Sequence, residues 1–146
     1  MSFDRRALVG HLAGHLARLL ARELQSRIAP MGLSTGSFPV LLELWEEDGQ
    51  TQRELVAALG VEQATMANTL GRMERDGLVS RSKDPKDGRM RRVRLTDRAR
   101  GLEAEAKAAA TAVNEAVLAD LSGWEREALM QLLAKTIDSA RGGGDA

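Results

Sequence analysis

Residues 63–96 decide the fold, and they read QATMANTLGRMERDGLVSRSKDPKDGRMRRVRLT. The first part of this stretch has the apolar periodicity of a helix, and Gly77 follows as a helix stop. Its apolar face consists of Met66, Leu70 and Met73. The second part contains two short alternating runs on either side of a turn-rich segment with an Asp-Gly pair, which is typical of a β-hairpin. The stretch therefore predicts a helix from Gln63 to about Asp76 and then a hairpin with a long basic tip.

A second short helix precedes this stretch. Residues 51–54 form a capping box, Thr-Gln-Arg-Glu, in which the threonine and the glutamate each satisfy one orphan amide. Gly60 ends the predicted helix, and a tight turn leads to Gln63. Two short helices, a tight turn and a basic hairpin are typical of a winged helix-turn-helix, whose second helix enters the major groove of DNA.

Longer helices are predicted on both sides of this unit. An amphipathic helix covers residues 4–29, and another runs from a cap at Ser34 or Ser37 to about Asp48. An alanine-rich helix follows a cap at Thr96 and reaches about Asp120. The last predicted helix begins with a cap at Ser122, ends near Ala140 and turns four apolar side chains inward: Leu129, Leu132, Leu133 and Ile137. The predicted fold class is mainly α with a small β-hairpin wing.

The apolar stripes of the first and last helices exceed what one winged helix can cover, so we expect a homodimer. The predicted domain organisation has three parts. They are a helical dimerisation region at 1–32 and 97–141, a winged helix-turn-helix DNA-binding domain at 33–96 and a flexible tail at 142–146.

Charge is unevenly distributed along the chain. The 146 residues include 21 Lys and Arg and 21 Asp and Glu, so the net charge is zero. Residues 72–100, however, carry eleven basic and five acidic side chains. A local basic segment on an otherwise acidic chain favours binding of a polyanion at one face.

Composition excludes several classes of function. The chain has no cysteine, which excludes a disulfide framework, a thiolate zinc site and a thiol redox sensor. With no tyrosine and no phosphate-binding glycine loop, few groups remain for acid–base chemistry, so no enzymatic activity is expected. No apolar run resembles a signal peptide or a membrane span, and a cytoplasmic protein without membrane contact is expected.

Two groups of side chains are candidates for DNA contacts. On the second short helix they are Gln63, Ala64, Thr65, Asn68, Thr69 and Arg72. On the wing they are Lys83, Lys86, Arg89, Arg91 and Arg92. Gln and Asn side chains bond adenine bidentately, Arg suits guanine, and small apolar groups contact the thymine methyl.

The tip of the wing has one residue suited to the minor groove. Arg89 follows Gly88 at the turn, and a narrow, negative minor groove favours an inserted arginine. Asp87 is an acid among bases, and we expect it to stabilise the wing by fixing an arginine rather than to contact DNA.

The same motifs resemble the MarR family of bacterial transcriptional regulators. They are Gly-Leu-Val-Ser-Arg at 77–81, Asp-Pro-Lys-Asp-Gly-Arg at 84–89 and Val-Arg-Leu-Thr at 93–96, behind the helix at 65–76. The resemblance implies a homodimer built from the first and last helices that binds palindromic DNA, usually as a repressor. It also implies release by a small phenolic or carboxylate ligand in a cleft. Some members sense oxidants through cysteine, and that branch is excluded because this chain has none.

Candidate ligand-binding residues come from the first two helices: His11, His15, Arg18, Phe38 and Trp45. A cation beside aromatic rings suits an aromatic carboxylate. The alternative is that the two aromatic residues are core and the histidines line the dimer seam. His11 and His15 are four residues apart, but no third ligand is evident, so neither a metal nor a cofactor is expected.

One other function fits the fold. A winged helix can also act as a protein-interaction module that binds no DNA. Such a module needs neither the basic wing nor the polar face of the second helix, so sequence-specific regulation of transcription is the favoured interpretation.

Overall fold

The computed structural model describes residues 2–142, and these contain six α-helices and three short strands. The helices are α1 (Val9–Ile28), α2 (Phe38–Glu46), α3 (Gln52–Leu59), α4 (Gln63–Arg75), α5 (Asp97–Val117) and α6 (Gly123–Gly142). The strands are β1 (Gln50–Thr51), β2 (Val79–Lys83) and β3 (Arg91–Leu95). The predicted class, mainly helical with a small β wing, is confirmed.

Local sequence signals place the boundaries of α3 and α4. The capping box is present: Thr51 Oγ1 accepts a hydrogen bond from the Glu54 amide at 3.1 Å, and Glu54 Oε2 accepts one from the Thr51 amide at 3.2 Å. Gly60 ends α3 with φ +65°, and Gly77 follows α4 with φ +71°. Both glycines adopt the left-handed conformation that other residues rarely take, so each helix ends where the sequence predicts.

The sheet contains a strand that the sequence did not predict. Its order is β1-β3-β2, with antiparallel pairs throughout, and Val79 lies opposite Leu95 while Lys83 lies opposite Arg91. The two residues of β1 pair with Val93 and Arg92 of β3. A two-residue strand is too short to show an alternating pattern. Its pairing brings the start of α3 beside the wing.

The core joins α1, α2, the helix-turn-helix and the wing within the first of two compact units, Met1–Ala110 and Thr111–Ala146. Its fully buried side chains include Ile28, Leu41, Leu44, Leu55, Met66, Leu70, Met73, Leu78 and Val93. Every one of these is apolar, and burial of such side chains contributes about 1.5–3 kcal/mol each to folding.

Several predicted boundaries and orientations are corrected. The first helix begins at Val9, because residues 5–7 form a separate 3-10 turn capped by Asp4, and α5 ends at Val117 rather than near Asp120. The α6 residues predicted to point inward are exposed or half-buried: Leu129, Leu132, Leu133 and Ile137. Gly142 belongs to α6 rather than to a tail, and residues 143–146 of the predicted tail lie outside the described residues.

A buried carboxylate organises the base of the wing tip. Asp84 is only 8% exposed, and its Oδ2 accepts a hydrogen bond from Arg92 Nε at 2.8 Å. Its Oδ1 accepts another from the Lys86 amide at 2.7 Å. Arg92 Nη1 also donates to the Gly49 carbonyl at 2.9 Å, which joins the wing to the loop before β1. These contacts form a brace, Asp84–Arg92–Gly49, that fixes the tip to the rest of the domain.

The brace predicts that the Asp84 carboxyl group has a lowered pKa. The hydrogen bond from the Lys86 amide, followed by the one from Arg92, lowers the pKa of Asp84 below its ordinary value of 3.8. A lowered folded-state pKa adds stability above the unfolded-state value, and that stability is lost as pH falls through the folded-state value. In an NMR titration, the amide shift of Lys86 should therefore have a midpoint below pH 3.8. Asp84→Asn should abolish this titration, and a midpoint at or above 3.8 in the wild type would contradict the brace.

Candidate nucleic-acid interface

The helix α4 presents a polar face because its apolar stripe is anchored in the core. Met66, Leu70 and Met73 are each no more than 1% exposed. Five of the six predicted base-reading residues are exposed: Gln63, Ala64, Thr65, Asn68 and Arg72. The anchored stripe fixes the rotation of the helix about its axis, so this exposed face has one defined set of side chains.

Thr69 is the exception among the predicted base-reading residues. It is 8% exposed and borders a cavity of about 150 Å³ together with Ser34, Ser37 and Met73. Residue 69 follows Met66 by three positions and precedes Met73 by four, which places it on the buried face. We therefore correct its assignment and leave it out of the interface.

The wing tip presents four exposed cations: Lys83, Lys86, Arg89 and Arg91. The turn beneath them is held by Asp87, whose Oδ1 accepts a hydrogen bond from the Arg89 amide at 3.0 Å. The Asp87 carbonyl also accepts one from the Met90 amide at 3.0 Å. Asp87 therefore supports the wing through the backbone of the turn, whereas the sequence suggested that it holds an arginine.

Arg92, the fifth cation predicted to contact DNA, is used internally. Its guanidinium group bonds Asp84 and the Gly49 carbonyl, and its side chain is 31% exposed. The acid that pairs with a wing arginine is thus Asp84, which the sequence indicated only as a turn residue. The eight-residue separation of Asp84 and Arg92 becomes a contact only when the strands pair, because the hairpin register brings them together.

Other arginines of the basic segment also bond within the domain. Arg81 pairs with Glu74 at 2.7 Å, and Arg100 pairs with Asp48 at 3.3 Å. Arg98 donates to backbone carbonyls. The local excess of positive charge therefore overstates the number of cations available to a polyanion.

A groove of about 520 Å³ lies between the start of α3 and the wing. Its lining includes four arginines and one acid: Arg53, Arg81, Arg89, Arg91 and Asp87. Gln52 also lines the groove, and its Nε2 donates to Oε1 of Gln63 at 3.2 Å. This bond links the first residue of α4 to the groove. The sequence did not indicate Arg53, because its position depends on the unpredicted strand β1.

The predicted ligand residues are only partly brought together. Phe38 is buried in the core, and its ring meets Trp45 edge to face at 6.1 Å between centroids. Trp45 Nε1 donates to the Ala99 carbonyl at 3.0 Å, and Lys107 Nζ lies 6.0 Å from the centre of its ring. The cation beside the aromatic pair is thus Lys107 rather than the predicted Arg18. The three α1 candidates are exposed: His11, His15 and Arg18.

Residues 2–142 contain neither a metal-binding cluster nor a membrane-spanning helix. No group of three or more His, Asp or Glu side chains there is arranged to hold a metal ion. No described helix combines the length and the apolar character needed to cross a bilayer.

Solved structures with similar sequences share this fold over nearly their whole length. A probable transcriptional regulator from Pseudomonas aeruginosa is 31% identical, with a TM-score of 0.81 and coverage of 91% of this chain and 99% of that chain. The transcriptional repressor CouR, solved bound to a 23-mer DNA duplex, is 28% identical, with a TM-score of 0.78 and coverage of 94% of this chain and 99% of that chain.

A third similar structure concerns regulation by a small molecule. It is that of BpsR from Bordetella bronchiseptica, whose DNA binding is regulated by 6-hydroxynicotinic acid. It is 28% identical, with a TM-score of 0.85 and coverage of 94% of this chain and 99% of that chain.

The MarR family model matches residues 33–90, the segment that contains the helix-turn-helix and most of the wing. With these motifs, this fold and these relatives, the chain belongs to the MarR family of transcriptional regulators.

Proposed function

We propose that the chain is a homodimeric repressor that binds palindromic DNA operators and is released by a small aromatic ligand. One observation carries the DNA-binding part: α4 exposes a polar face while four cations of the adjacent wing point into solvent. The DNA-bound structure of CouR, which covers nearly this whole chain, supports the same role.

In this proposal, α4 and the wing have different chemical roles. Gln63, Asn68 and Arg72 read base edges in the major groove, since amide and guanidinium groups bond adenine and guanine bidentately. Lys83, Lys86 and Arg91 bind phosphates, which positions the protein but carries no sequence information. Arg89, at the tip, enters the minor groove.

Exposed apolar side chains on the flanking helices support the homodimer. On α1 they are Val9, Leu12, Leu16 and Leu19, and on α6 they are Trp124, Met130, Leu132, Leu133 and Ile137. Trp124 is 74% exposed and Leu132 is 62% exposed. Apolar surface of this extent on a single chain marks an interface. We assign residues 1–32 and 97–141 to dimerisation and residues 33–96 to DNA binding.

The ligand is proposed to be a small phenolic or aromatic carboxylate. Regulation of BpsR by 6-hydroxynicotinic acid supports this class, since that molecule joins a carboxylate to an aromatic ring. Trp45 of α2 is half-buried, and Lys107 of α5 lies 6.0 Å from the centre of its ring, so a cation stands beside an aromatic side chain, as suits this class of ligand. A ligand of this class should lower operator binding in a gel retardation assay without changing the oligomeric state.

The dimer predicts a mass in solution of about twice the 15.8 kDa of one chain. Leu132→Glu should lower that mass at micromolar concentration, because it places a charge in the middle of the proposed apolar interface. Gln131→Glu, at the neighbouring exposed position, is the matched control and should remain dimeric. Light scattering reports both masses. A wild-type protein of single-chain mass would refute the dimer.

The division between base reading and phosphate binding predicts two kinds of loss. Asn68→Ala should cost about 1–3 kcal/mol on the operator and little on random DNA, since only a base contact is lost. Lys86→Ala should weaken binding to both DNAs and lower the magnitude of the salt slope by about 0.9. Fluorescence anisotropy over a salt series measures both quantities. Equal losses on the two DNAs for Asn68→Ala would contradict base reading, and no operator preference in the wild type would favour a protein-interaction module.

Arg89 predicts a dependence on the sequence that flanks the operator. Arg89→Ala should lose more affinity on A·T-rich than on G·C-rich flanks, because narrow minor grooves hold the most negative potential. Arg89→Lys should recover only part of the loss, since an ammonium group is more strongly hydrated. Lys86→Ala is the control and should lose equally on both flanks. If Arg89→Ala binds both DNAs as the wild type does, the tip does not enter the groove.

A further inference from the structure

Arg98 joins three helices through backbone carbonyls. It is the second residue of α5, and its Nη1 donates to the carbonyl of Asp76, the residue that ends α4. Its Nη2 donates to the carbonyl of Met31 at 3.4 Å. Met31 is the last residue of the 3-10 turn that extends α1. One guanidinium group therefore connects the ends of α1 and α4 to the start of α5.

Electrostatics favours a cation at this position. The carbonyls at the C-terminal end of a helix lack intrahelical partners and carry a partial negative charge. Arg98 places its positive charge against two such ends. A planar guanidinium with donors at fixed spacing can reach two separate carbonyls at once, whereas the ammonium of lysine is a single point charge.

The backbone beneath Arg98 is shaped to admit the guanidinium group. Gly32 has φ +77°, and a Cβ built on it would lie 2.6 Å from Arg98 Nη2. A side chain at residue 32 would therefore both strain the backbone and displace the guanidinium. Glycine at this position therefore leaves room for the observed placement of the guanidinium group.

Neighbouring contacts hold the end of α4 to α5 but do not reach α1. Thr96 Oγ1 donates to the Gly77 carbonyl at 2.7 Å and accepts a hydrogen bond from the Ala99 amide at 3.2 Å. Thr96 therefore bonds the carbonyl of Gly77, and Arg98 bonds the carbonyl of the preceding residue, Asp76. Within residues 2–142, Arg98 makes the hydrogen-bonded bridge from the end of α4 to the 3-10 turn that extends α1.

We propose that Arg98 is a positioning residue: it fixes the position of α4 relative to α1 and thereby determines sequence specificity without contacting DNA. This inference rests on the proposed DNA-binding function. It also gives a physical route by which a change in α1 alters the recognition helix, because the two helix ends share one side chain. By sequence alone, Arg98 belongs to the basic segment and resembles a phosphate-binding cation.

The experiment compares affinities for the operator and for random DNA across a salt series, with melting temperature measured in parallel. Arg98→Ala should lower the ratio of operator to random affinity about 3- to 30-fold, with the salt slope unchanged. Arg98→Lys should restore only part of that ratio. Lys86→Ala, the control, should lower both affinities and the salt slope while keeping the ratio.

Gly32→Ala separates positioning from charge, because it displaces the guanidinium and leaves the net charge intact. It should lower the affinity ratio as Arg98→Ala does, and the double variant should lose no more than the larger single loss, since both changes remove one link. The pair Lys86→Ala and Arg98→Ala should instead be additive.

Three outcomes would overturn the inference: a fall in the salt slope for Arg98→Ala, an unchanged affinity ratio, or additive losses for Gly32→Ala and Arg98→Ala. An operator preference that is already absent in the wild type would instead refute the proposed function. The two failures are therefore distinguishable.

Discussion

The end of α4 is held by the first turn of α5, and the proposed DNA-reading surface depends on this junction. Thr96 bonds the Gly77 carbonyl, and Arg98 bonds the carbonyl of Asp76. These contacts hold the end of α4 in position against α5, while its buried methionines and leucine fix its rotation. A recognition helix reads bases only if its position and its rotation are both fixed, because a base contact tolerates little displacement.

The wing depends on the same principle of internal bonding. Asp84 and Arg92 tie the base of the tip to Gly49, and Asp87 holds the turn through the Arg89 amide. Because these side chains fix the backbone at the base of the wing, the exposed cations at the tip are held in a defined position. The basic segment thus has two populations of charge, one that builds the domain and one that faces solvent. This separation explains why a net-neutral chain can present a cationic surface.

The long helices serve a different purpose from the winged helix between them. Their exposed apolar faces make them suited to a partner, which we propose is a second copy of this chain. The Arg98 link connects the end of one of these helices to the recognition helix. Dimer geometry and DNA reading are therefore coupled in this proposal through a side chain at the boundary between the two regions.

Sequence by itself determined the helix-turn-helix, the wing and the family resemblance. These depend on local signals: the capping box at Thr51, the stops at Gly60 and Gly77, and the alternation of the two long strands. Local signals act over a few residues, so their pattern can be recognised without knowledge of the fold. The exposed face of α4 was predicted for the same reason, apart from Thr69, which shares the stripe of Met66 and Met73.

Tertiary structure alone decided which charges are free. Arg92 and Asp84 meet because two strands pair, Arg53 lines the groove because β1 joins the sheet, and Arg98 reaches Met31 across 67 positions of the chain. None of these partners lies within a turn of helix or on one strand, so no periodicity reveals them. A cation in a sequence has the same charge whether it bonds a carbonyl or a phosphate, and only the packed fold distinguishes the two.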